Sequence, residues 1–553
     1  MRRAATLFVF LAAAVIAAVA AEPEFSAERI KAHVTFLADD LLEGREAGTR
    51  GHEIAARYIA AQFAAMGLTP GGSNGSYFQS VDLLEAARTG PKPNLTIVSR
   101  RGSRTLEQQR TVIVRGGVTP GRVRLRAPLV FAGYGIEDAT LGYHDYDGLD
   151  VTGKIAVVLR GMPKGMDSEI GAHLQDEQSR FAAEHGAVAV AYVATRSSAV
   201  AFPWELVVQF ADGPVTTWVR PDGTPFDPGY GLKAVAIVEP GAAASLFEGA
   251  PQTLAAVLDE ADRTGGRPKG FALATTAEIN IETTVRRFSS PEVIGVIEGR
   301  DPVLKTEYVT LMGHADHIGV KAGGTGDRIN NGALDNAAGI ATLLEAARAF
   351  TVSDERPRRS ILVVANTAEE KGLLGAEYYA HYPTVPIERV TAGIDLDMPM
   401  LLYDFTDAVA YGAGHSTLAP VFEKAAAAMG VRLSPDPMPE QAIFVRSDHY
   451  ALVRAGVPAV MLATGMANGG EAAWGRFLAN NYHRPSDDLS QPIDWRAGAK
   501  FAELNYRVVR ALADDDARAR WYEGDYFGDV FALQAPKAPR PTTPAASAPT
   551  APR

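Results

Sequence analysis

The apolar and polar positions give the chain three textures. Early on, "AERIKAHVTFLADDLLEGREAGTRGHEIAARYIAAQFAAMGL" predicts two amphipathic helices around a glycine-rich loop at Gly44 to Gly51. In the second helix Ile54, Tyr58, Ile59, Phe63 and Met66 fall close to helical spacing. From about Arg126 to Phe271 the apolar runs are short and β-like: "APLVFAGYGI", "GKIAVVLRG", "AVAVAYVA" and "KAVAIVE", with one helix-like stretch, "DEQSRFAAEHG". From "PEVIGVIEG" onward, strands ("YVTLMG", "SILVVAN", "VTAGIDL", "VPAVMLA") alternate with helices such as "NAAGIATLLEAARAF". Such alternation predicts an α/β fold, a mixed and mostly parallel sheet sandwiched by helices. The early helices are expected on the same sheet, so the α/β domain is discontinuous and a β-rich segment is inserted in it.

Length and chain ends refine this division. At 553 residues the chain exceeds one compact core, so two or three domains are expected. Residues 1–20 read as a signal peptide: Arg2 and Arg3, then an apolar run, then "AVA" as a cleavage site. An uncleaved membrane anchor is the alternative. Cleavage implies a periplasmic or extracellular protein with no stable membrane association. The closing segment, 526–553, is rich in Pro and Ala and is expected to be disordered.

Composition removes several function classes. A net charge of −11 and the lack of a dense basic stretch exclude a nucleic-acid partner. With no cysteine there is no disulfide, thiol catalysis or zinc–thiolate site, so any metal must be held by His, Asp and Glu. "GGSNG" at Gly71 to Gly75 matches a serine-nucleophile pattern but lies in a polar loop, without the strand and helix that such an elbow needs.

Ligands of open α/β sheets bind beyond the carboxyl ends of the strands. There the sequence places His314 after "YVTLMG", Glu369 and Glu370 after "SILVVANTA", and Asp397 after "AGIDL". Asp335 opens a helix in "NGALDNAAG", and His483 lies in "NNYHRPSDDL". Each has an ordinary reading alone: a loop histidine, an N-cap, or acidic residues complementing a helix dipole. Together they are five hard, mixed N/O donors of the kind zinc accepts, plus one spare carboxylate.

The motifs "GHADHIG", "NGALDNAAG", "NTAEEKGLLGAEYYA", "LDM", "RSDHYALVRAGVPAVML" and "YHRPSDDL" resemble, in order and spacing, the cocatalytic di-zinc aminopeptidases. The resemblance implies two zinc ions per chain, bridged by Asp335, with His314 and Asp397 completing one site and Glu370 and His483 the other. It implies Glu369 as general base and Asp316 as the carboxylate that orients His314. The stretch "GYGIEDATLGYHDYDGLDVTGKIAVVLRG" resembles the protease-associated domain. The expected organisation is thus a peptidase domain in two parts, 21–125 and 272–525, around a protease-associated insert at 126–271. Two departures from the family pattern stand out. Asp395 replaces a frequent Asn, adding charge near the site, and Glu292 replaces another Asn at a place expected to lie away from the chemistry.

The leading reading is an exported exopeptidase acting on peptide substrates, an aminopeptidase. A glutamate carboxypeptidase-type enzyme is the alternative, kept open by Arg446 beside "SDHY". Glutaminyl cyclase and a non-catalytic receptor-type relative fit less well, because all five ligands are retained. Arg446, Tyr450 and Trp474 are the candidate substrate contacts.

Overall fold

The structure, a computed structural model, describes residues 22–227 and 229–541. The signal peptide expected at 1–20 and the last residues of the Pro/Ala-rich tail lie outside the described residues. The fold is a mixed, mostly parallel sheet flanked by helices. Strands Val390–Asp395, Tyr308–His314 and Ser360–Asn366 lie side by side and parallel, with Ala459–Thr464 parallel to the first. Asp407–Tyr411 and Phe271–Ile297 border them as antiparallel neighbours. Every residue of Ser360–Asn366 is buried, which is why it reads as an unbroken apolar run.

Helix Ala338–Val352 packs against Ala27–Leu37 and Trp495–Asp514, so the early helices do join the main sheet. In Trp495–Asp514 the buried Phe501, Leu504, Val508 and Leu512 recur at helical spacing, and Asp494 caps its start by accepting from the Arg496 and Ala497 N–H groups.

The middle segment holds the helix expected at "DEQSRFAAEHG", as Gln178–Glu184, and more helix besides. Gly121–Phe131, Ile155–Arg160, Ala189–Ala194 and Ala234–Val238 pair in parallel, with helices Ser168–Asp176 and Gln178–Glu184 between them. Position 126 falls inside the strand Gly121–Phe131, and the earlier strand Val112–Gly116 pairs with Ala234–Val238. Sheet pairing therefore draws residues before 126 into this unit. The long strands Phe78–Ser99 and Phe271–Ile297 run antiparallel from Phe78↔Val293 to Val98↔Thr276 and bind the two parts of the molecule together.

The tail is ordered further than its composition suggests. Tyr526–Phe531 is a helix with Tyr526 and Phe527 buried, and Lys537 Nζ reaches the Ala532 carbonyl at 2.8 Å. Its few aromatic residues suffice to anchor it. Close by, His415 Nδ1 lies 2.7 Å from Asp525 Oδ2 and its Nε2 lies 2.7 Å from Glu169 Oε2. Arg540 joins Asp525 at 3.1 Å. One imidazole thus ties the middle segment, the main domain and the tail together.

Burial opposes charge on His415, but its bonds to Asp525 and Glu169 outweigh this and push its pKa up to about 10. A folded pKa above the free value means that the added stability is complete below about pH 6.5 and is lost as the pH rises through about 10. The gap in unfolding free energy between the parent and His415→Gln is expected to shrink by on the order of 3–4 kcal/mol between pH 6 and pH 10.5. Urea unfolding at the two pH values measures it, and a gap that stays constant would remove the charged clamp.

Candidate metal centre

Three neighbouring strand ends, one helix start and one loop deliver the site. His314 ends the strand Tyr308–His314, Glu369 and Glu370 follow Ser360–Asn366, and Asp397 follows Val390–Asp395. Asp335 lies in the wide turn Ala333–Ala337 that leads into helix Ala338–Val352. Close approach is needed here: a Cβ on Gly339 would sit 2.3 Å from the Leu396 carbonyl, so only glycine lets the helix meet the strand end.

Asp335 is the hub. Its Oδ1 is 3.4 Å from His314 Nε2, which is also 3.1 Å from Asp397 Oδ1. Its Oδ2 is 3.1 Å from His483 Nε2, which is also 3.1 Å from Glu370 Oε2. Donors 3.1–3.4 Å apart can share one ion bound at about 2.0–2.2 Å, so the residues fit two zinc ions bridged by Asp335. Glu369 Oε2 stands 3.9 Å from His314 Nε2, beside the first of these groups.

The electrostatics fit cations as well. Burial would raise Asp335, yet its bonds and charge interactions with His314, His317 and His483 hold it well below the usual carboxylate range. Burial would also raise Glu370, but His483 and His317 bring it down to about 2. Glu369 goes the other way: burial, with Glu370 and Asp397 nearby, pushes it well up against the pull of His314. His483 rises to about 10 because Glu370 and Asp335 outweigh its burial.

Several expected roles change in detail. His314 Nδ1 donates to the backbone carbonyl of Asp316 at 3.1 Å, whereas the Asp316 carboxylate is 3.9 Å away. That carboxylate instead accepts from the Glu369 N–H at 3.2 Å, so it positions the candidate base. Glu292 does not lie away from the chemistry. It is fully buried and pushed well up, by burial first and then by Asp448 and Asp316, which puts it in an acidic layer behind the site. Asp395 is buried too, accepting from Ser447 Oγ at 2.6 Å and from the His449 N–H at 3.2 Å.

Tyr450 is not a cleft residue. It is 2% exposed, and its hydroxyl is hydrogen-bonded to His173 Nδ1 of the middle segment at 2.6 Å. Arg446 and Trp474 do reach the cleft. They line an apolar cavity beside Asp397 with Met398, Met438, Met461 and Leu478.

Three further residues were missed. His317, in the same "GHADHIG" motif, places Nδ1 2.5 Å from Glu370 Oε1. Asp487, in "YHRPSDDL", accepts from the backbone N–H groups of Leu334 and Asp335 at 2.9 and 3.0 Å, fixing the hub. Arg45 is fully buried and donates to the carbonyls of Leu37, Ala315, Asn331 and Gly332, stapling the loops that carry His314 and Asp335. The motif positions of His317 and Asp487 were visible signals. Nothing in the spacing around Arg45 announces its reach.

An aminopeptidase from Aneurinibacillus sp. strain AM-1 matches at a TM-score of 0.52 and 20% identity, covering 94% of this chain and 98% of that one. A vacuolar membrane protease of Yarrowia lipolytica is 41% identical over 66 residues, 12% of this chain and 6% of the relative. The mouse aminopeptidase NAALADL1 is 29% identical over 140 residues, 24% of this chain and 17% of the relative. The chain thus spans only a small part of the length of these curated relatives. Residues 292–509, which hold all five candidate ligands, match the family described as Peptidase family M28. That segment of the chain therefore carries a domain similar to Peptidase family M28.

Proposed function

We propose that the protein is an exported aminopeptidase that works with two zinc ions and releases N-terminal residues from peptides. The observation that carries this reading is the bridging posture of Asp335, with one oxygen toward His314 and Asp397 and the other toward His483 and Glu370. His314, Asp335 and Asp397 would hold one ion, and Asp335, Glu370 and His483 the other. Zinc bound there supplies Lewis acidity toward water and the scissile carbonyl.

The chain's own part is proton handling and placement. Glu369 Oε2 takes a proton from the attacking water and passes it to the leaving amine. A raised pKa suits the first of these steps, because it makes the carboxylate a stronger base toward the water's proton. Asp316 holds the Glu369 backbone N–H, which keeps this carboxylate turned into the site. The substrate side chain enters the cavity of Met398, Met438, Met461 and Leu478, whose surfaces favour apolar residues.

We also read the middle segment as a protease-associated domain that walls this cleft. Gln209 Nε2 donates to the His483 carbonyl at 2.8 Å, and the Arg446 guanidinium lies 5.6 Å from the Phe202 ring centroid. The signal-like sequence at 1–20 and the mouse relative's printed name, an aminopeptidase, favour the rest of the reading.

Protein reloaded with zinc is expected to hold about two ions per chain by elemental analysis. It should cleave leucyl and methionyl substrates at least about tenfold faster than glutamyl ones, since a single apolar contact carries 1–3 kcal/mol of discrimination. Turnover confined to N-blocked peptides with a free carboxyl end would instead establish the carboxypeptidase.

The two adjacent glutamates separate by substitution. Glu369→Gln keeps size and shape but cannot take the proton, so zinc content should persist while kcat falls roughly 10²-fold or more. Glu370→Gln removes a charged ligand, so one zinc should be weakened or lost. Side-by-side zinc stoichiometry and kcat measurements decide, and parent-like turnover by Glu369→Gln would refute its role as base.

A further inference from the structure

The five ligands do not exhaust the imidazoles at this centre. His317 is fully buried, and its Nδ1 lies 2.5 Å from Glu370 Oε1 and 3.9 Å from Asp335 Oδ2. Together with Asp335 and Glu370 it forms a second cluster with metal-ligand spacing, apart from that of His314, Asp335 and Asp397. The Asp397 side has no comparable extra imidazole among the described residues.

The two oxygens of Glu370 are divided between partners. Oε2 faces His483 Nε2 at 3.1 Å, on the side of Asp335, while Oε1 faces His317. At 2.5 Å the His317–Glu370 contact is a hydrogen bond. It is shorter than the separation of about 3.3 Å expected for two donors on one tetrahedral ion with bonds of 2.0–2.1 Å. An ionised carboxylate only accepts, so Nδ1 is the donor. The other ring nitrogen, Nε2, is buried and has no hydrogen-bond partner, which leaves Nδ1 as the working end of the ring.

The ring cannot easily turn away. Its backbone N–H donates to the Arg45 carbonyl at 3.2 Å. A Cβ on Gly332 would lie 2.7 Å from its Cγ and Cδ2, so the glycine opens the space the ring occupies. The His483 ring meets it edge-on, with centroids 5.5 Å apart.

We propose that His317 is a positioning residue of the Glu370 metal site: by donating Nδ1–H to Glu370 Oε1 it leaves only Oε2 for the ion, and it makes this the tighter of the two sites. The inference rests on the two-metal reading above. Fixing a carboxylate before the metal arrives removes the cost of orienting it, and partners of this type typically contribute 10- to 100-fold in metal affinity. His317 thereby makes the two halves of the centre unequal, so that loading and loss of the ions proceed in sequence.

The test uses the full chain, stripped with a chelator and titrated with Zn²⁺ by calorimetry and with Co²⁺ by visible absorption. An Asp397→Ala background leaves the Glu370 site alone to be read. In that background His317→Ala should weaken ion binding about 10- to 100-fold and change the Co²⁺ spectrum, with circular dichroism unchanged. His317→Asn, whose Nδ2 stands close to the position of Nδ1, should recover much of the loss, and it carries the test if the alanine variant does not fold. Equal affinity in all three chains overturns the role of His317 while leaving the two-metal reading in place. So does an equal loss in His317→Ala and His317→Asn. A parent chain that takes up no ion overturns the two-metal reading itself, and this inference with it.

Discussion

The structure is organised around a concentration of buried negative charge. Asp335, Glu370, Asp397 and Glu369 converge at one sheet edge, with Asp316, Asp487, Asp448 and Glu292 buried close behind them. Burying even one unpaired carboxylate costs several kcal/mol, so such a cluster is tolerable only with cations or protons to match. His314, His483, Arg45 and Lys371 are among the basic groups facing it. Of these, His314 and His483 are pushed well up by the carboxylates around them despite their burial. The acids behind the ligands meet the problem differently: burial lifts Asp316 and Asp487 to about 7, where a proton can neutralise them. A centre arranged in this way demands positive charge at its front, while protons and Arg45 can serve the acids behind.

Holding like charges together requires a frame that cannot relax, and the parallel sheet supplies it. Tyr308–His314, Ser360–Asn366 and Val390–Asp395 end at the same edge in fixed register, so His314, Glu369, Glu370 and Asp397 are placed by backbone ladders. The remaining loops are held by buried polar groups. Asp487 grips the Asp335 turn by two backbone N–H groups, and Arg45 grips four carbonyls without using a carboxylate partner. Arg45 lies far from residues 292–509 in sequence, yet its side chain braces the loops of that domain. The early helices are therefore part of the support of the metal centre.

The sequence made the strands and the ligands legible for one physical reason. Buried parallel strands must be continuously apolar, so an acidic residue or histidine directly after such a run stands out, as His314, Glu370 and Asp397 do. Tyr450 misled because the same helix faces the middle segment, and tertiary contact with His173 decides its place. The middle segment showed only one of its helices in the sequence because the others are short and weakly patterned. The ordered tail was missed because composition averages over Tyr526 and Phe527, two aromatics that bury against the body of the molecule. Arg45 was missed because a guanidinium binding only carbonyl oxygens leaves no charge pattern in the sequence.

Glu369 and Glu370 show how far local environment can separate two identical neighbours. Successive side chains leave a chain in different directions, so one strand end can serve two surroundings. Glu370 points among imidazoles, and His483 and His317 bring it down to about 2. Glu369 sees burial and other carboxylates, and rises well above the ordinary range. The first is therefore held in its charged form, while the second is the easier of the two to protonate. Their difference does not come from the residue type or from the spacing. It comes from which side of the Asp335 hub each carboxylate faces, and the sheet edge fixes that choice before any metal or substrate arrives.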